Sequence, residues 1–162
     1  MGWLYRLDRL IAAIIATAQW LALPLILLLF LQWPLRDIVH AYSSQANDLG
    51  QIVFAIYVAV SISAATRAGT HLAADALAQH YTARTREWLK RLGAGLGLLP
   101  WALFVLIAGK TFVVPSLLEL ESFPKTDSPG YFLIKCGLWL MAITIIAQAV
   151  VDIFRPLPAD DV

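Results

Sequence analysis

Residues 10–33 read LIAAIIATAQWLALPLILLLFLQW. The stretch holds no charged side chain, and its strongest polar groups are the amides of Gln19 and Gln32. As one helix it would extend about 36 Å at 1.5 Å per residue, more than the roughly 30 Å of a bilayer's hydrocarbon core. Arg6 and Arg9 precede it, as basic residues precede a secretory signal, but the apolar part of a signal spans only about 7–15 residues. The stretch therefore reads as a retained membrane-spanning helix. Pro24 lies inside it and predicts a kink, because proline lacks an N–H and crowds the preceding turn.

The rest of the chain fits this reading. Of 162 residues, 60% are hydrophobic and 14% charged, and the mean hydropathy is +0.72. Soluble domains are typically about 45–50% apolar and about 25% charged. Three further apolar runs follow at 49–66, 92–114 and 131–154, the third span containing Pro100. None alternates with period two, so a barrel is excluded. The expected fold is an all-α integral membrane protein, a single four-span domain covering 1–162. Residues 67–91 are too polar to span. Ala74, Leu77, Tyr81 and Trp88 fall near one helical face there, predicting an amphipathic cytoplasmic interfacial helix between spans two and three. Its basic end, Arg84 to Arg91, would favour phospholipid headgroups. A solvated turn is the competing reading.

Basic residues set the orientation. Arg6, Arg9, Arg67, Arg84, Arg86, Lys90, Arg91 and Arg155 fall on one side, and Arg36, Lys110, Lys125 and Lys135 on the other. The positive-inside rule places both termini and the 67–91 segment in the cytoplasm. Lys110 and Lys135 lie near span ends, where each can snorkel to headgroups or meet a local acid. Trp3, Trp33 and Trp88 lie near expected interfaces, where indole rings are favoured.

Few constellations point to chemistry of the chain's own. The net charge of +1 gives no basic face for nucleic acid. A single cysteine, Cys136, allows no internal disulfide or thiolate cluster and reads as a small buried hydrophobe. No span carries a mid-membrane histidine for haem. His71 and Asp75, four apart, could hold zinc only with further ligands. Ser61 and Ser63 in span two are expected to bond a backbone carbonyl or a neighbouring helix. Glu119 and Glu121, on an outer loop, read as solvated. Gly93, Gly95 and Gly97 do not follow a strand, so a phosphate loop is excluded; Gly93 and Gly97 form a G-x-x-x-G pair suited to close helix packing. Spans one to three contain no acid, and Asp152 falls at the end of span four, so a proton-coupled exporter has no buried carboxylate to work with. The expectation is a chain with no catalytic residue, no cofactor and no metal.

The stretch after span two carries a resemblance. Arg67, His71 and Asp75, in the run His71-Leu72-Ala73-Ala74-Asp75, resemble a signature of the small membrane subunit of tripartite ATP-independent periplasmic (TRAP) transporters. The polar start of span two, NDLGQIVF at 47–54, is similar too. Glu121-Ser122, with Lys135 and Gln148 thirteen residues apart in span four, resembles the branch taking mannitol or chloroaromatic-type substrates; that branch usually carries a proline where this chain has Gly137-Leu138-Trp139.

The resemblance implies a bacterial inner-membrane location and two protein partners: a large polytopic membrane subunit and a periplasmic substrate-binding protein. It implies sodium-coupled import of an organic anion, often a carboxylate, with the small subunit packed against the large subunit's scaffold and widening it. Arg67, His71 and Asp75 would then fix a hinge. Trp88, Gly93, Gly97, Glu121, Lys135 and Gln148 would be partner, lipid or positioning contacts. The other readings are a membrane anchor of a respiratory electron-transfer complex and a small self-assembling transporter.

Overall fold

In the computed structural model, residues 2–38, 43–68 and 81–155 are described. The helices are α1 (Gly2–Gln19), α2 (Ala22–Asp37), α3 (Ser44–Ala68), α4 (Ala83–Leu92), α5 (Leu99–Leu118) and α6 (Tyr131–Phe154), with a π-helical turn at Gly93–Leu98. Among the described residues four helical stretches are long and apolar enough to cross a membrane: Gly2–Pro34, Ser44–Ala68, Arg84–Leu118 and Tyr131–Phe154.

The first span breaks where Pro24 predicts, but one turn earlier. Its ring crowds the carbonyl four residues back, on Trp20, and supplies no N–H to it. The chain answers with tighter bonds: Trp20 N–H to Thr17 at 3.2 Å, Leu21 N–H to Ala18 at 3.0 Å and Leu23 N–H to Trp20 at 3.3 Å. These separate α1 from α2 at Trp20–Leu21.

The third span differs more from expectation. Its helix begins in the polar segment and runs without interruption from α4 through the π turn into α5. Of the amphipathic segment expected over 67–91, the part at Ala83–Leu92 is helical and joined directly to span three; Ala74 and Leu77 lie outside the described residues. Thr82 caps its start, its hydroxyl accepting from the Thr85 N–H at 3.3 Å. The π turn falls where Gly93, Gly95 and Gly97 offer no side chains to hold a regular register, and just ahead of Pro100, which lacks a donor.

α6 is the central helix. Half of its spanning window is buried inside the chain, against 11% for span one. It lies between α3 and α5, and α1 packs against α3 and α6, whereas α2 packs mainly on α3. Small residues let the backbones close in: Gly137 faces the backbone of Ala55, and Ala59, Ala102, Ala142 and Ala149 are buried. Between the two helices the Ser63 and Thr144 hydroxyls meet at 2.5 Å, tying α3 to α6. Ser63 also bonds the Ala59 carbonyl at 3.3 Å, and Thr144 the Leu140 carbonyl at 2.8 Å. Hydroxyls at this depth fill backbone or cross-helix acceptors, as the sequence leads one to expect for Ser63.

The loop from α5 to α6 is a compact plug. Phe123 N–H bonds the Ser128 carbonyl at 2.8 Å, Phe132 N–H bonds Glu121 at 3.3 Å, and Phe123 is buried edge-on to Tyr131 at 5.4 Å. Gly130 closes it at φ 127°, where a Cβ would come within 3.0 Å of Ile52 Cδ1. Only glycine meets both demands.

Candidate functional site

The charged groups gather at the two ends of the bundle. At the end formed by the start of α1 and the close of α3 and α6, Arg67 in the last turn of α3 reaches back to α1. Its Nη2 donates to Asp8 Oδ2 at 3.0 Å and its Nη1 to the Asp8 carbonyl at 3.2 Å. Nη1 also lies 2.7 Å from Asp8 Oδ1, as an ion pair without hydrogen-bond alignment. A planar guanidinium is suited to this forked grip, and a cation is favoured where α3 ends.

The same end holds a second pair. Asp152, 3% exposed, lies 3.3 Å from Lys90 Nζ and accepts from Gln148 Nε2 at 3.1 Å. Gln148, 2% exposed, has its Oε1 buried with no hydrogen-bond partner among the described residues. Arg91 donates to the carbonyl of Arg155 and sits 5.9 Å from the centre of the half-exposed Trp88 ring. Trp3 meets Phe154 edge-on at 6.2 Å. Together these groups tie α4 and α1 to the end of α6.

At the opposite end, Glu121 accepts from Lys135 Nζ and from Ser116 Oγ, both at 2.5 Å, and the lysine lies 5.3 Å from the centre of the Tyr131 ring. The hydrogen bond from Lys135, then that from Ser116, hold the Glu121 carboxyl below its ordinary value of about 4.5. Asp48, 7% exposed, accepts from Thr126 Oγ1 at 2.5 Å and lines a cleft between the start of α3 and the plug. Among the described residues no group of three His, Cys, Asp or Glu side chains comes together.

Several sequence expectations need correcting. Glu121 is not a free solvated acid; its loop is folded back so that Lys135 holds it. Buried carboxylates do exist, at Asp48 and Asp152, because neighbouring elements cover positions that look interfacial along the chain. Among the described residues a Cβ at Gly93 or Gly97 would meet nothing within 4 Å, which leaves their expected packing partner to lie outside these residues. The tight approach on span three is Gly109, whose Cβ would lie 3.1 Å from Trp139 Nε1. Lys135 and Gln148 do not share a site. They occupy opposite ends of α6, about 20 Å apart along the axis, and serve different pairs. His71 and Asp75 lie outside the described residues, as do His40 and His80. Arg67 is committed to Asp8, whose one signal in the sequence is a lone acid between Arg6 and Arg9.

The fold and its fastenings define a multi-pass membrane protein whose polar groups clamp helices together. Residues 25–156 match the family model described as tripartite ATP-independent periplasmic transporters, DctQ component. The chain belongs to that family, and is thereby the small membrane component of a TRAP transporter. No curated protein and no solved structure matches it. The family is one of transporter components, of the inner membrane, and implies association with a large membrane subunit and a periplasmic binding protein.

Proposed function

We propose that the chain is the static scaffold component of a sodium-coupled, binding-protein-dependent importer of organic anions, packing against the large subunit and widening its frame in the bilayer. The observation that carries this reading is the combination of internal bracing with bare outer faces. Arg67–Asp8, Lys90–Asp152 and Lys135–Glu121 fasten the bundle at both ends, and Ser63–Thr144 ties α3 to α6 between them. Span one meanwhile exposes Leu23, Ile26, Leu27, Phe30 and Trp33, and span three Leu96, Phe104 and Ile107. A frame needs rigidity inside and apolar surface outside. The basic bias of residues 67–91 supports both termini being cytoplasmic.

Reconstitution tests the proposal. The large subunit in liposomes, with the binding protein and an inward sodium gradient, should import an organic acid when this chain is present. Uptake should fall at least about tenfold without it, the loss expected if the frame supplies even 1.4 kcal/mol to the working state. Equal uptake with and without the chain would refute a scaffold role.

A further inference from the structure

The cleft beside Asp48 has a chemistry that the braces do not use. It encloses about 400 Å³ between the first turns of α3 and the 119–130 plug, and its lining includes Ser44, Asp48, Gln51, Lys125, Thr126 and Tyr131. A water occupies about 30 Å³ of liquid, so the space suits a polar group of several heavy atoms. Asp8, Asp152 and Glu121 each have a cation within 4 Å. Among the described acids Asp48 is as well buried as any but Asp152, yet among the described residues it has only the Thr126 hydroxyl. A carboxylate taken out of water is costly unless a positive group meets it.

Its depth narrows the choice of cation. Arg67 marks one rim of span two, and Asp48 lies nineteen residues before it, about 29 Å along a helix. That is close to the full hydrocarbon thickness of about 30 Å, which puts the cleft at headgroup level on the other face. Tyr131, at the start of α6, is of a residue type favoured at that level. Lys125, exposed on the same cleft wall, supplies the opposite charge for a phosphate.

We propose that this cleft seats the headgroup of an aminophospholipid, its primary ammonium on Asp48 and its phosphate on Lys125. A primary ammonium brings three N–H donors to the Asp48 carboxylate and the nearby Gln51 amide oxygen. A trimethylated choline brings none, and a glycerol headgroup brings no positive charge.

Native mass spectrometry of the full chain tests this, with phosphatidylethanolamine, phosphatidylcholine and phosphatidylglycerol of identical acyl chains. Phosphatidylethanolamine should be retained about tenfold better than either of the others, the scale of one charge-assisted hydrogen-bonded contact. Asp48→Asn should abolish the preference, and Lys125→Gln should weaken retention, with helical content unchanged in both. Equal retention of the three lipids, or an Asp48→Asn protein that keeps the preference, would overturn the proposal. Saturable binding of free ethanolamine without any lipid preference would also overturn it, pointing to a soluble amine. If Asp48→Asn does not fold, the three-lipid comparison on the wild-type chain and the Lys125→Gln variant decide the matter.

Discussion

Replacing Lys90 by methionine should destabilise the chain more than replacing Lys90 and Asp152 together. Asp152 is 3% exposed and has Lys90 Nζ 3.3 Å away, while the lysine keeps 35% of its side chain accessible. Lys90→Met leaves the acid buried with, among the described residues, only the Gln148 amide for company. Breaking a buried pair by removing one partner typically costs about 3–5 kcal/mol, and the accessible lysine argues for the lower end, about 3 kcal/mol. The double variant Lys90→Met/Asp152→Leu removes the stranded charge as well, so its cost should fall below about 1 kcal/mol or vanish. The assay is reversible unfolding of the purified chain in mild detergent, followed by far-ultraviolet circular dichroism, for wild type, both singles and the double. A double-mutant cycle isolates the coupling. If the double variant costs the sum of the singles, the two residues act independently and the reasoning fails.

Three further outcomes are expected. The Lys135–Glu121 clamp should weaken in acid. The folded carboxyl is held below its ordinary value, so its contribution is complete above about pH 4.5 and is lost as pH falls through the lowered value; amide exchange across 119–130 should speed up below that point, and Glu121→Gln should remove the pH step. Gly109→Ala should cost about 1–3 kcal/mol, because the new Cβ presses on Trp139 at 3.1 Å; an unfolding free energy equal to wild type would show that the indole yields freely. Gly93→Leu with Gly97→Leu should not destabilise the isolated chain, since a Cβ at either meets nothing within 4 Å among the described residues and leucine exceeds glycine in helix propensity by up to about 1 kcal/mol per site; a clear loss of stability would show that these positions pack inside the chain. If span three docks on the large subunit, the same pair should reduce co-purification; undiminished recovery would place that interface elsewhere.

Much of this was legible in one dimension. Hydrophobic runs of 18 to 24 residues locate the four spans, because a bilayer forces every spanning backbone group to be bonded within its own helix. Ser63 was readable as a cross-helix or backbone donor for the same reason. The pairings were not. Asp8 and Arg67 are fifty-nine residues apart in sequence, and nothing local to either announces the other. Asp152 follows an apolar run and looks interfacial until α4 covers it. The continuity of 83–118 was hidden because charge dominates 83–91, and charge marks exposure rather than a break in a helix. Gly93 and Gly97 form a packing motif that meets no neighbour within 4 Å among the described residues, whereas Gly109, with no motif, takes the indole of Trp139.

The central claim is that this bundle is one part of a larger membrane assembly. It is tested most directly by gentle purification of a tagged copy from its native membranes, with mass spectrometry of what accompanies it. The account predicts stoichiometric recovery of one large polytopic membrane protein. Recovery of this chain alone, persisting as a homo-oligomer that transports by itself in liposomes, would contradict it.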